Sequence, residues 1–88
     1  TREVSVAHMV APPGWDEPYQ TPEFDEITVV VKGSVLVDCD GQRHEVHAGQ
    51  SIITKAGERI RYAAGPLGAE YVAVCLPAFP PDAAHRED

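Results

Sequence analysis

The sequence has no apolar run approaching the roughly 18 to 20 residues needed to cross a bilayer. Nor does it have a basic start followed by an apolar core of the signal-peptide kind. It is short of positive charge: 7 Lys and Arg stand against 14 Asp and Glu, for a formal charge of −7. The electrostatic footprint of a nucleic-acid binder is therefore missing, and no nucleic-acid or membrane partner is expected. Cysteine is scarce, with only Cys39 and Cys75 and no CxxC pair, which excludes a disulfide framework and a clustered thiolate metal site. Both cysteines lie in apolar, strand-like runs and read as buried free thiols, so a cytoplasmic compartment is expected. Helical stripes with caps, internal repeats, a phosphate loop and a Ser-His-Asp order are all absent. A chain that starts at Thr1 rather than Met leaves room for residues before it.

What is present is a single domain's worth of chain, 88 residues at 43% hydrophobic content, ordinary for a globular protein. Its organising stretch is Pro18 to Leu36, PYQTPEFDEITVVVKGSVL. Pro18 and Pro22 keep the approach extended, and Asp25 and Glu26 then open the β-branched run Ile27 to Val31. Side chains stiff at the first torsion favour a pleated strand over a helix.

Read in order, Val4 to Val10 alternates, with Val4, Val6, His8 and Val10 on one face and Ser5, Ala7 and Met9 on the other. Pro12, Pro13, Gly14, Pro18 and Pro22 make residues 11 to 23 an extended loop whose Trp15 and Tyr19 are expected to fold over a core edge. Phe24 to Lys32 is the second strand, Lys32-Gly33 a turn or bulge, and Ser34 to Cys39 the third strand. Asp40-Gly41 is a strong hairpin signal leading into Gln42 to His47. Ser51 to Thr54 and Arg59 to Ala63 follow as short strands, Ala64 to Gly68 as a loop, and Tyr71 to Leu76 as a last strand apolar on both faces. Pro77, Pro80 and Pro81 stop regular structure. Strands at this spacing predict an all-β sandwich or barrel over residues 1–77, with a Pro-rich, polar, mobile tail over 78–88.

Glu26, six intervening residues and Gly33 resemble the end of the first motif of the cupin superfamily. Gly49, five residues, Lys55-Ala56 and Gly57 resemble its second motif, G-x5-P-x-G-x2-H, and the Asp40-Gly41 hairpin suits the segment between them. The resemblance covers about residues 5 to 76 and implies a small jelly-roll-like barrel. It also implies a mouth that often holds a divalent metal on three His and one Glu. Here the first His pair falls on Tyr19 and Thr21, or on Gln20 and Pro22; the motif proline is Lys55 and the last His is Ile60. Of the four usual ligands only Glu26 remains, so no metal site of the family type is expected. A divalent ion would need donors from outside the motif, such as His8 or His85, to complete three or four ligands at about 2.0–2.3 Å.

A carboxylate inside an apolar barrel has its pKa raised by desolvation, which makes Glu26 a candidate general acid or base, or an anchor for a polar ligand. The alternative is an exposed Glu at the start of a strand, or one paired with an Arg. If Ile60 faces the barrel as the resemblance implies, Tyr62 does too and could orient a ligand; it could equally be a core Tyr bonded to a carbonyl. Gln20, Tyr62, Ile60 and Tyr19 are thus the candidate ligand-binding residues. His44 and His47 at i and i+3 point to opposite strand faces, and Arg59 and Arg61 share a face. The expected function is a small-molecule-binding cupin. The alternative is a small-molecule enzyme of isomerase, lyase or cyclase type working through Glu26. A barrel this small buries limited apolar area. The Tyr71–Leu76 strand and the segment Leu76 to Pro81 are therefore expected to complete a homodimer.

Overall fold

The computed structural model describes residues 2–78 and 84–87. Five strands form one antiparallel system: β1 (Ser5–Ala11), β2 (Asp25–Cys39), β3 (Gln42–His47), β4 (Ser51–Thr54) and β5 (Ile60–Leu76). The order is β1-β5-β2-β3, with β4 pairing the first half of β2. The all-β architecture is the one the strand spacing predicts, and its jelly-roll-like form is the one the cupin resemblance implies.

Two pairs of expected strands prove to be single long ones. β2 runs through Gly33 without a break, with register shifts between Val30 and Lys32 and between Gly33 and Val35. The expected loop 64–68 is likewise internal to β5. β5 pairs β2 on both sides of it, Val35 with Ala64 and Gly33 with Ala69, so residues 65–68 all lie opposite Ser34. Glycine permits this without ending either strand. Gly33 and Gly68 have φ of 70° and 79°, in the left-handed region that side chains disfavour. A β-carbon on Gly33 would stand 2.1 Å from the Gly68 carbonyl oxygen, and one on Gly65 would stand 2.0 Å from Ser34 Oγ.

The bend gives each long strand two halves with different neighbours. The first half of β2 and the second half of β5 carry β4 and β1 at their sides. The other halves carry β3 and, through bridges at Asp16–Ala63 and Gln20–Ile60, the proline-rich loop. The halves face each other across one core, in which Val30, Ala69 and Tyr71 from one side meet Val35, Val37, Ile60 and Tyr62 from the other. Trp15 packs against this core from the loop, as expected. The hairpin at Asp40-Gly41 also forms as read, with both residues at positive φ and Cys39 paired to Gln42.

The tail is corrected where it is described. Residues 84–87 lie along the loop: Thr21 N–H donates to the Ala84 carbonyl, Glu87 N–H to the Tyr19 carbonyl, and Arg86 bridges Gln20. Ala84 is fully buried against Phe24 and Cys75, and Arg59 holds Glu87 through two bonds of 2.7 and 2.8 Å. A polar composition concealed one small apolar residue that fits a gap in the core. Phe79 to Pro81 of the segment expected at an interface lie outside the described residues.

Because the bend needs close backbone approach, Gly33→Ala should cost about 3 kcal/mol or more of unfolding free energy. Gly14→Ala also has positive φ, 76°, but meets nothing within 4 Å, and should cost only about 1 kcal/mol. Urea unfolding of both variants checks this; equal losses would show that the crossing tolerates a side chain.

Candidate functional site

The register of the first sheet half decides which side chains meet. Directly paired residues share a face, and three rows run across β1, β5 and β2: Ser5–Cys75–Glu26, Ala7–Ala73–Thr28 and Met9–Tyr71–Val30. From these rows, all but Thr28 and Val30 form one wall of a cavity of about 340 Å³, and Gln20, Glu17, Tyr62 and Arg86 come to it from elsewhere in the fold. The face of β1 that the alternation made apolar points outward instead, leaving Val6 and Val10 67% and 74% exposed.

Glu26 sits in this wall. Thr28 Oγ1 donates to its Oε2 at 3.2 Å, and the Cys75 thiol reaches Oε1 at 3.8 Å. Tyr62 adds a further hydrogen bond to it. The Tyr62 hydroxyl also lies 2.9 Å from Thr54 Oγ1, and either oxygen can be the donor. Burial pushes the Glu26 pKa up, the hydrogen bonds with Thr28, Cys75 and Tyr62 oppose this, and the nearby Glu17 charge adds to the rise.

Glu17 is the second acid. Gln20, itself buried, donates from Nε2 to Glu17 Oε1 at 2.9 Å, and an Arg86 guanidinium nitrogen stands 3.8 Å from Oε2. Burial again raises the pKa, against the lowering influence of Arg86 and then of Gln20. Burial also pushes the Tyr62 phenol well up, the Tyr71 phenol to about 12 and the Cys75 thiol to about 11. Both phenols therefore stay donors, and the thiol is no nucleophile at neutral pH. Two carboxyls displaced upward, one of them beside the Thr28 hydroxyl donor, can hold or pass a proton.

Of the residues singled out in the sequence, Glu26, Gln20 and Tyr62 line the cavity together. Ile60 and Tyr19 do not. Ile60 is 1% exposed in the core, paired with Gln20 and Cys39. Tyr19 turns outward, with the Arg59 guanidinium 3.8 Å above its ring and that of Arg61 at 5.9 Å. The loop's hydrogen bonds to β5 turn Gln20 inward, and its neighbour Tyr19 must then face out. Sequence reasoning missed Glu17, Tyr71, Cys75 and Arg86. Alternation along the last strand groups Tyr71 with Cys75, but nothing local points to Glu17 or Arg86.

The donors do not fit the metal usual in this fold. His8 lies on the outer face, bonded to Glu70 at 2.8 Å, and His85 meets Glu23 away from the cavity. Among the described residues, the one trio of His, Cys, Asp or Glu ligand atoms within 4.8 Å of one another is Cys39, Asp40 and Glu58. That trio stands outside the cavity.

The family model described as Cupin domain matches residues 7–75. The chain belongs to the cupin family. It is 44% identical over 88 residues to a Myxococcus xanthus protein named endoribonuclease YbeY, covering 99% of this chain but 30% of that one. The cupin thus spans less than a third of the length of this curated relative. Among solved structures, PAC13 from Streptomyces with uridine superposes with a TM-score of 0.84 at 16% identity, covering 99% of this chain and 69% of that one. KdgF from a Halomonas species gives 0.80 at 17%, covering 88% and 71%. An RmlC-like cupin from Shewanella frigidimarina gives 0.81 at 19%, covering 89% and 69%. Identities this low establish a common fold.

The sign of the pH dependence follows from the raised Glu26 pKa. The folded protein holds the Glu26 proton better than the unfolded chain, so this group's contribution is full below its ordinary value near 4.5 and is lost as pH rises through the folded value. The lowered pKa values of Asp25, Asp38, Glu58 and Glu87 act oppositely, losing stability as pH falls. Glu26→Gln isolates the first effect. The difference in stability, variant minus wild type, should grow from about pH 4 to about pH 7, as read by urea midpoints across that range. A pH-independent difference would place Glu26 in water.

Proposed function

We propose that this cupin binds a small molecule in the cavity beside Glu26, without the metal common to its fold. The observation that carries this reading is Glu26 itself, a half-buried carboxyl with fixed Thr28, Cys75 and Tyr62 partners on the wall of a 340 Å³ space. Such a space is within the range of small-ligand sites. The wall is mostly apolar around a few convergent polar groups, and Ile60 stands where the fold's last imidazole would be. That a neighbour of the same fold was solved with uridine supports reading this barrel as able to house a compound of that order.

A second reading is favoured by one specific feature, the proximity of Glu17 to Glu26. Each carboxyl is displaced upward by burial, and the charge of Glu17 adds to the effect on Glu26. Two acids so coupled can serve as a proton donor and acceptor in an isomerase, lyase or cyclase reaction. The endoribonuclease name of the Myxococcus relative is not carried over. An acidic balance of 14 carboxylates against 7 cations gives that activity no support.

We further propose a homodimer through the outer sheet face. Val6–Val74–Ile27–Ile53 and His8–Val72–Val29–Ser51 cross β1, β5, β2 and β4 as two rows. Ile53 and Val6 are 59% and 67% exposed. These rows carry no acid although the whole chain is at −7, so two copies can approach here with least repulsion. An apolar area spanning four strands marks an interaction surface.

Two measurements test these readings. In ligand-observed NMR against a panel of small neutral and charged compounds, hits should weaken about tenfold or more in Glu26→Gln and Tyr62→Phe. Hits indifferent to both variants would move binding elsewhere. In sedimentation equilibrium at micromolar concentration, wild type should be dimeric and Ile53→Lys monomeric; a monomeric wild type would remove the interface.

A further inference from the structure

The cavity is closed on one side by a cation belonging to the chain itself. Arg86 comes from the segment 84–87 that lies along the loop, and its guanidinium reaches the mouth of the cavity 3.8 Å from Glu17 Oε2. This is a loose contact, too long for a hydrogen bond. The Arg86 side chain is 54% exposed, whereas that of Glu17 is only 18% exposed. The anion is therefore built into the wall while its counter-ion hangs from solvent on a flexible stem. The backbone bridge from Gln20 to Arg86 and the Arg59–Glu87 pair hold the segment in place independently of the guanidinium. Arg86 can swing out without undocking its own backbone.

Among the described residues, the other charged groups lining the cavity, Glu17 and Glu26, are acidic. Glu17 faces Arg86 from the C-terminal segment, Gln20 from its own loop, Glu26 from β2, and Tyr62 and Tyr71 from β5. Glu26 faces Thr28, Cys75, Tyr62 and Glu17. Among the described residues, no lysine or histidine lines this space. The surrounding wall is apolar or aromatic, with Ala7, Met9, Ala73 and Tyr71. An anion entering would meet two acids. A cation with an apolar body would meet two acids and aromatic rings, in a setting where opposite charges are weakly screened.

Resting on the small-molecule reading above, we propose that the cavity's ligand is a small organic cation with an apolar body, such as a protonated amine. In the free protein the Arg86 guanidinium occupies the cation's place beside Glu17 as a tethered competitor. The ammonium group takes Glu17 and Glu26 as its acceptors, and Arg86 moves into solvent as it enters. The ligand must also bring both carboxyls into the ionised form, so binding releases protons wherever they are protonated in the free protein.

The test uses a matched pair of probes, cyclohexylamine and cyclohexanol, which differ in charge but little in shape, measured by isothermal titration calorimetry on the full chain. Cyclohexylammonium should bind more tightly than cyclohexanol, and its affinity should rise between about pH 5 and about pH 8, where the amine remains protonated. Glu17→Gln should weaken it by about tenfold or more. Arg86→Gln is the deciding variant. It should tighten cyclohexylammonium by about threefold or more and leave cyclohexanol unchanged. A weaker amine affinity in Arg86→Gln, or cyclohexanol binding as well as the amine, overturns the cation assignment while leaving the small-molecule reading intact. Binding of neither probe overturns the assignment too, and the panel screen then decides separately whether the cavity binds anything. Circular dichroism of each variant confirms that the fold is retained.

Discussion

Where β2 crosses the 65–68 stretch of β5, the backbones approach until a single β-carbon on Gly33 would meet the Gly68 carbonyl oxygen at 2.1 Å. That approach lets two long strands bend together instead of ending. It gives one strand pair two halves, with β1 and β4 beside one and β3 and the loop beside the other. Because the halves face each other, side chains distant in sequence come to line one space: Glu26 and Cys75 from below, Gln20 and Tyr62 from above. Without the bend the sheet would be open, and Glu26 would lie on a wet surface.

The cavity so formed is electrostatically unfavourable to the fold. Burying a carboxyl costs free energy unless hydrogen bonds replace lost water. Glu26 recovers part of that from Thr28, Cys75 and Tyr62, and Glu17 from Gln20 and Arg86. Neither acid has a close, fully buried cation, which is how a purely structural carboxylate is normally stabilised. Polar groups held at such a cost by neighbours on several elements are what the proposed ligand-binding reading rests on.

The outer face of the same sheet half shows the converse arrangement. Val6, Val74, Ile27 and Ile53 form a row that a solitary chain leaves partly in water. β1 therefore has two roles. Its small Ser5 and Ala7 leave room for the cavity, and its valines face outward. Its alternation was plain from the sequence, and the structure turns the face with Val6 and Val10 outward. The rule that apolar faces turn inward fails where the inside is a cavity needing small side chains.

Local residue patterns specified the β-rich stretches, the Asp40-Gly41 hairpin and the resemblance to cupins, but not that two pairs of those stretches run on as β2 and β5. β-branching, turn glycines and motif spacing act over a few residues, and the chain states them locally. It also determined that the usual imidazole ligands are missing, since Ile60 is what it is in any conformation. Long-range packing, by contrast, turns Tyr19 outward and Gln20 inward and brings Glu17 to the cavity that Glu26 lines. It alone docked Ala84 under Phe24, with Arg86 at the cavity mouth. These placements depend on register between segments as far apart as residues 17 and 86. A register shift of one residue turns every side chain to the other face, and no local pattern fixes that choice.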